Sequence, residues 1–419
     1  MKFRENLTIL ISLIMLLLMI LLFFIDSKII VDLIFIISLF KIIVLDGISY
    51  YKPTVSFVLP WVVLYLFQKI NITIYARDMD FLTWKLISVP VLLSSILAPE
   101  FFKINLKAKS NDFFFNFSSF KYASLICYAL FLANLIYSGY LPLIQLVKTG
   151  DSNYMDYGIK GINGLFYAYS NAFGLLCYYL YLETKNKKFL FHIGSIFLIF
   201  ILCMTRQNII SLIFEIVIFY TFKVRPINMK RISIYVLVLI WCFGFLGELR
   251  SGDIKDLVGL KAQYSWIPVS FIWIYSYGFF NLLNLDNLVH SGYFSLFNGS
   301  SLASLIPSFL RPEFEGGTNL EVVNFTISSY INPIFQDIGY YGLIVFTGCV
   351  IAFTVSFYKK AVAYKNFRAI SIYSVLAFCA FFSFFVNFWF YLPIIFQIPF
   401  LIIFNKKLLV KKPHYKSAY

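Results

Sequence analysis

The apolar residues of this chain fall in long blocks, neither alternating with polar positions nor confined to one helical stripe. Twelve such blocks can be marked: residues 7–25, 29–45, 54–70, 81–98, 120–138, 163–182, 189–205, 207–222, 232–248, 340–357, 369–388 and 391–405. Each approaches the ~20 residues that carry a helix across the hydrocarbon of a bilayer. Inside lipid the backbone has no water to bond, so a crossing block must close its own hydrogen bonds as a helix. The pattern predicts an all-α, polytopic transmembrane helical bundle of about twelve spans, forming one integral membrane domain over residues 1–419. The last two blocks adjoin closely enough to make one helical hairpin. No internal repeat and no soluble domain interrupts the pattern.

The basic residues orient these blocks. With the N-terminus placed in the cytoplasm and sides alternating, 23 of the 35 Lys and Arg fall on the inside and 10 on the outside. Lys41 and Lys85 fall within blocks. Cytoplasmic loops carry such an excess of Lys and Arg, so both termini are expected in the cytoplasm. One outer segment, residues 249–339, runs to about ninety residues, a length that usually marks function rather than connection. It holds a charge-free aromatic run, YSWIPVSFIWIYSYGFFNLL at 264–283. That run is expected as a helix lying in the membrane interface or re-entering it.

Hydrophobic residues make up 60% of the chain and charged residues 13%, too few charges to cover a soluble surface. The net charge of +15 is spread in short clusters between apolar blocks, which argues against nucleic acid as a partner. The six cysteines lie in apolar runs without CxxC spacing, so neither a zinc site nor a redox pair is expected. The first block follows the basic start MKFRE, but no small-residue cleavage site follows it; it reads as a retained span. No P-loop, GxGxxG, HExxH or GxSxG occurs, so no metal, cofactor or nucleotide is implied.

The outer arginines are the leading candidates for chemistry. Arg206 sits in CMTRQNII at a short turn between blocks, Arg250 in GELRSGD where a block meets the large segment, and Arg311 in FLRPEFEGGTN within it. A guanidinium is always charged and its planar fork suits phosphate; the bland alternative is interfacial snorkelling or an ion pair. Asp337, in NPIFQDIGYYG, and Glu313, Glu315 and Glu321 are candidate bases for a sugar hydroxyl, or else caps and solvated charges. Arg77, Asp78 and Asp80 form a charged loop tip, and His290 is a lone histidine. Gly316 and Gly317 mark a turn where backbone approaches something closely. Tyr264, Trp266, Trp273 and Tyr277 suit stacking on sugar faces or anchoring at the interface.

At these residues the chain resembles the O-antigen polymerase (Wzy-type) family, the oligosaccharide repeat-unit polymerases. The resemblance runs through roughly residues 130–345. The stretch GYLPLIQLVKTGDSNYMDYGIKGINGL matches the family's Gly-x-x-Pro-Leu start, Tyr-Gly and Gly-x-x-Gly through Gly139, Pro142, Tyr157, Gly158, Gly161 and Gly164. TRQNII resembles its arginine before a span, without the usual neighbouring glycine, and FQDIGYYG its Asp-x-Gly-x-x-Gly through Asp337, Gly339 and Gly342. No arginine among Arg206, Arg250 and Arg311 begins the Arg, ten residues, Gly spacing of some members, and His290 does not match the ligases' histidine position.

The resemblance implies polymerisation of undecaprenyl-pyrophosphate-linked oligosaccharide units, for O-antigen or a capsule-like polysaccharide, on the outer leaflet of the inner membrane. The terminal hydroxyl of one lipid-linked unit attacks the anomeric carbon of the growing glycan, and undecaprenyl pyrophosphate leaves. Arg206 and Arg250, with Asp337, are then the catalytic candidates; Arg311, Trp266, Trp273, Tyr277, Gly316 and Gly317 bind substrate. Membrane lipids and a chain-length regulator are the further partners the resemblance leaves open. The rival expectations are a lipid-linked oligosaccharide flippase, an O-antigen ligase and a polyprenyl-phosphate-sugar glycosyltransferase. A flippase predicts two similar halves and short loops, and the last predicts a long acidic first outer loop, where this chain has only Asp26 to Lys28.

Overall fold

A computed structural model describes residues 2–47, 49–97, 113–150, 153–251, 254–307, 309–312, 320–322 and 325–411. Their helices are α1 (Lys2–Phe24), α2 (Lys28–Phe40), α3 (Pro53–Ile70), α4 (Phe81–Ile96), α5 (Phe117–Ser138), α6 (Pro142–Thr149), α7 (Ile162–Thr184) and α8 (Lys188–Leu202). There follow α9 (Arg206–Lys223), α10 (Met229–Ser251), α11 (Ile254–Leu257), α12 (Val269–Ser291), α13 (Ile331–Tyr364), α14 (Phe367–Phe381), α15 (Leu392–Ile395) and α16 (Gln397–Lys407). Every apolar block marked in the sequence carries helix.

Four helical stretches among the described residues are long and apolar enough to cross a membrane: Asn6–Phe24, Pro53–Ile70, Phe117–Thr149 and Ile331–Tyr364. Their outward faces are apolar, with Leu13, Leu17, Leu125, Ile136 and Val345 exposed. A membrane protein is built this way, because lipid accepts the hydrophobic surface that water would reject. Inside, α3, α4, α7, α13 and α14 contribute most of one continuous core that includes Trp61, Phe173, Leu343 and Tyr373.

One short strand pair accompanies the helices. Phe113–Phe115 (β1) and Leu409–Lys411 (β2) pair antiparallel, Phe114 opposite Val410. The two segments lie just before α5 and just after α16, where neither helix uses their backbone groups. The Asn116 side chain caps α5 by accepting from Ser119 N, and Asn116 N donates to Leu408 O.

Two irregular features shape one end of the bundle. At Gly339, φ 68° and ψ −169° break α13 into two pieces. The carbonyls of Phe335, Gln336 and Asp337, freed at the break, accept from the amides of Ser295, Leu296 and Phe297 at 3.4, 3.0 and 2.8 Å. The first piece folds back on the second, for Tyr330 bonds Thr347 at 2.9 Å. Glycine is required at 339 by its φ, and a Cβ there would also displace the Ser295 hydroxyl, 2.2 Å away. In turn, α14 has 15 residues, about 22 Å of helix. The chain beyond it, residues 382–391, is irregular yet largely held inside the protein.

α12 serves that irregular stretch. Asn281 Nδ2 donates to the Phe384 and Phe385 carbonyls at 2.5 and 3.3 Å, and its Oδ1 accepts from Ser329 N at 2.7 Å. Asn284 Nδ2 donates to the Phe325 and Ile327 carbonyls. Buried backbone must be paired, and the two asparagines of one helix do this for two separate segments. Residues 275–286 of α12 meet α3 and α4 where those helices join, through Tyr275 on Phe67, Gly278 on Leu64 and Asp286 on Thr83.

Candidate functional site

Arg206 opens α9 two residues after Met204, whose φ is +55°. Gln207, the next residue of α9, and the positive charge of Arg311 both act electrostatically on the Tyr391 hydroxyl. Tyr391 thus lies within electrostatic reach of both the first turn of α9 and Arg311. Arg311 is exposed and donates from Nη2 to the Ile306 carbonyl at 3.2 Å, which curls the segment onto itself.

The glycines of the Gly-x-x-Gly stretch make the same junction. Gly161 has φ +84°, and a Cβ there would stand 2.8 Å from Phe309 Cε1 and 2.9 Å from Pro307 Cβ. A Cβ at Gly164 would stand 3.0 Å from Leu392 Cδ2. The start of α7 therefore touches both the arginine-bearing segment and the start of α15. Tyr157 and Gly158 secure this loop from behind: Gly158 N donates to Ser138 Oγ at 2.7 Å and Ile159 N to Asn134 Oδ1 at 2.8 Å. Burial pushes the Tyr157 hydroxyl far above the ordinary tyrosine value, so it stays protonated and serves packing.

Asp337 is only 4% exposed. One carboxylate oxygen accepts from Gly299 N at 2.9 Å; the other accepts from Ser301 Oγ at 2.6 Å and Ser301 N at 3.4 Å. These bonds cap the 3-10 turn Ser300–Leu305 that leads into Arg311. A carboxylate that accepts three hydrogen bonds orients that turn. It ties the first piece of α13 to that turn.

The aromatic candidates divide. Trp266 is 76% exposed, whereas Trp273 is 4% exposed and packs over Tyr277 and Phe325. Tyr277 packs in turn on Phe325 and Phe385, so these two rings hold the segment rather than present open faces. The side chain of Arg250, on α10, lies outside the described residues, as do Glu313, Glu315, Gly316 and Gly317. The structure therefore leaves Arg206 at the start of α9, sets the Arg311 segment against the start of α7, ties Asp337 to that segment, and places Trp273 and Tyr277 in a separate packed cluster.

Two further polar networks join residues that the sequence does not pair. Arg77 holds the wholly buried Asp286 at 3.4 Å, Glu321 at 3.1 Å and Asn287 at 2.5 Å. Asp286 also accepts from Asp80 N and Thr83 Oγ1 at 2.8 and 2.9 Å. Beneath Arg206, a polar line descends α9: Asn208 pairs with Asn171 at 3.0 Å, and Ser211 bonds the buried Glu215 at 2.5 Å. The spacing 208, 211, 215 is one helical face, a signal the sequence carried; its neighbours Asn171 and Gln397 were not deducible. Among the described residues no group of three or more His, Cys, Asp or Glu is arranged to hold a metal ion.

No protein-family model, curated protein or solved structure matches this chain. Fold and composition define a helical membrane protein with a basic, aromatic-rich junction at one end of its bundle.

Proposed function

We propose that the protein is a membrane glycosyltransferase that polymerises lipid-linked oligosaccharide repeat units. In this reading the chain spans the inner membrane about twelve times with both termini in the cytoplasm, and residues 249–339 face the outer side. The observation that carries it is the meeting of the Arg311 segment with the start of α7, where Gly161 lies against Pro307 and Phe309 and Gly164 against Leu392, next to Tyr391 at the start of α15. The lipid-borne pyrophosphate gains charge as its bond to the anomeric carbon breaks and the acceptor oxygen bonds that same carbon, the hydroxyl proton passing to water, and preorganised guanidinium groups stabilise that charge. The donor is already activated by its pyrophosphate, so the step needs neither nucleotide nor metal. Arg250, on α10, is assigned to the same task. Asp337 acts by positioning the Arg311 segment.

The buried polar line at Asn208, Ser211 and Glu215 favours a second reading, a lipid-linked oligosaccharide flippase, because ionisable groups inside a bundle often line transport paths. Gene deletion followed by gel analysis of surface polysaccharide separates the two. Collapse of a ladder to a single repeat unit identifies a polymerase, whereas loss of every unit identifies a flippase or ligase. Purified protein should extend lipid-linked units with chelator present and ATP absent; complete, reversible loss on chelation would overturn the metal-free mechanism.

A further inference from the structure

Away from the Tyr391 junction, the ends of α2, α3 and α4 enclose a cleft of about 360 Å³. Its lining includes Lys28 and Asp32 of α2, Lys69 at the end of α3, Arg77 and Asp78 of the connection, and Trp84 of α4. We propose that this cleft binds the phosphate of a membrane lipid whose headgroup also carries hydroxyls.

Three observations support it. The volume falls in the ordinary range of small-ligand sites. The charges are of both signs and exchangeable: Lys28 pairs with Asp78 at 3.2 Å and Lys69 with Asp32 at 3.4 Å, with Asp78 95% exposed. Exposed pairs of this kind hold by about 1 kcal/mol or less, so a phosphate oxygen can take the place of a carboxylate on either lysine. The released carboxylates, with Gln68 and Asn71, then face the headgroup as acceptors for hydroxyls. Arg77 is anchored by Asp286 and Glu321 and fixes the wall.

The occupant is a lipid because of what adjoins the cleft. Ile29, Leu33, Ile36 and Phe40 form an exposed apolar stripe down α2, starting beside Lys28. Their spacing of four, three and four residues places them on one helical face. A headgroup seated on Lys28 and Lys69 has its acyl or prenyl chain directed along that stripe. The inference does not depend on the polymerase reading, since any phospholipid or lipid-linked saccharide of this chemistry fits.

The test places the full chain in nanodiscs of phosphatidylcholine with a minor share of phosphatidylglycerol and counts retained phosphatidylglycerol by native mass spectrometry. Lys28→Gln with Lys69→Gln should lower retention about tenfold, the joint effect of two ion contacts. Asp78→Asn, at a fully solvated position, should raise it by freeing Lys28. Unchanged retention in both variants overturns the proposal, even if the double variant is poorly folded, because the Asp78 variant leaves the core untouched. In a third arm inorganic pyrophosphate is added to nanodiscs of phosphatidylcholine alone; binding there as strong as that of phosphatidylglycerol would assign the cleft to a free anion and overturn the lipid. These readouts use no glycan substrate, so they stand whatever the deletion ladder shows.

Discussion

The carboxylate of Asp337 accepts a 2.6 Å hydrogen bond from the hydroxyl of Ser301. The bond joins the first piece of α13 to the turn that carries the chain toward Arg311. A hydrogen bond to a charged group contributes about 1.5–3 kcal/mol, enough to fix which way that turn points.

Ser301→Ala should therefore shorten polysaccharide chains about as much as Asp337→Asn does, and the double variant should be little worse than either single one. If Asp337 instead takes a proton from the attacking hydroxyl, only the aspartate variant will lose activity. Gel ladders of the three strains, at matched protein level, separate the outcomes.

Arg206→Ala and Arg250→Ala should each reduce long chains by about two to three decades in rate, the effect of losing one charged contact to the transition state. Lysine at either position should rescue only in part, since it keeps the charge and loses the planar fork. Arg225→Ala, on an exposed residue after α9, is the control and should leave the ladder unchanged. Normal ladders in both alanine strains would remove the pyrophosphate-binding role.

Gly161→Ala should disturb the junction more than its size suggests. The residue needs φ +84°, and its Cβ would meet Phe309 at 2.8 Å. Strain of this kind costs about 1–3 kcal/mol, and its relief would push the arginine-bearing segment away from α7. Gly194→Ala, where nothing lies within 4 Å, should be neutral or slightly stabilising. Equal thermal midpoints and equal ladders for the two strains would show that the contact with Phe309 is idle.

Topology is open to direct measurement. Reporter fusions after Arg225 and after Lys365 should read as cytoplasmic, and one after Gly317 as external, following the bias of Lys and Arg. A cytoplasmic signal at Gly317 would place the Arg311 segment on the wrong side for a lipid-linked donor in the outer leaflet.

The helices of this protein were legible in its sequence because lipid imposes a local rule. A segment that crosses must satisfy its own backbone and face hydrocarbon, so blocks such as 54–70 and 120–138 announce themselves one at a time. Gly161 and Gly339 stood out in the sequence only as motif positions; their positive φ and the neighbours that crowd them, Phe309 and Ser295, were decided by packing. The partners were decided only by tertiary packing. Arg77 finds Asp286 across 209 positions, and Asn281 finds Phe384 across 103. Neither side chain carries a periodic signal that names the other. Trp273 and Tyr277 show the same limit: an aromatic pair reads alike in sequence whether it faces a sugar or a neighbouring Phe325. Burial distinguishes the two, and burial is set by which helices meet. A local rule can be read from a local stretch of chain, whereas a contact between distant segments depends on how all the intervening helices pack.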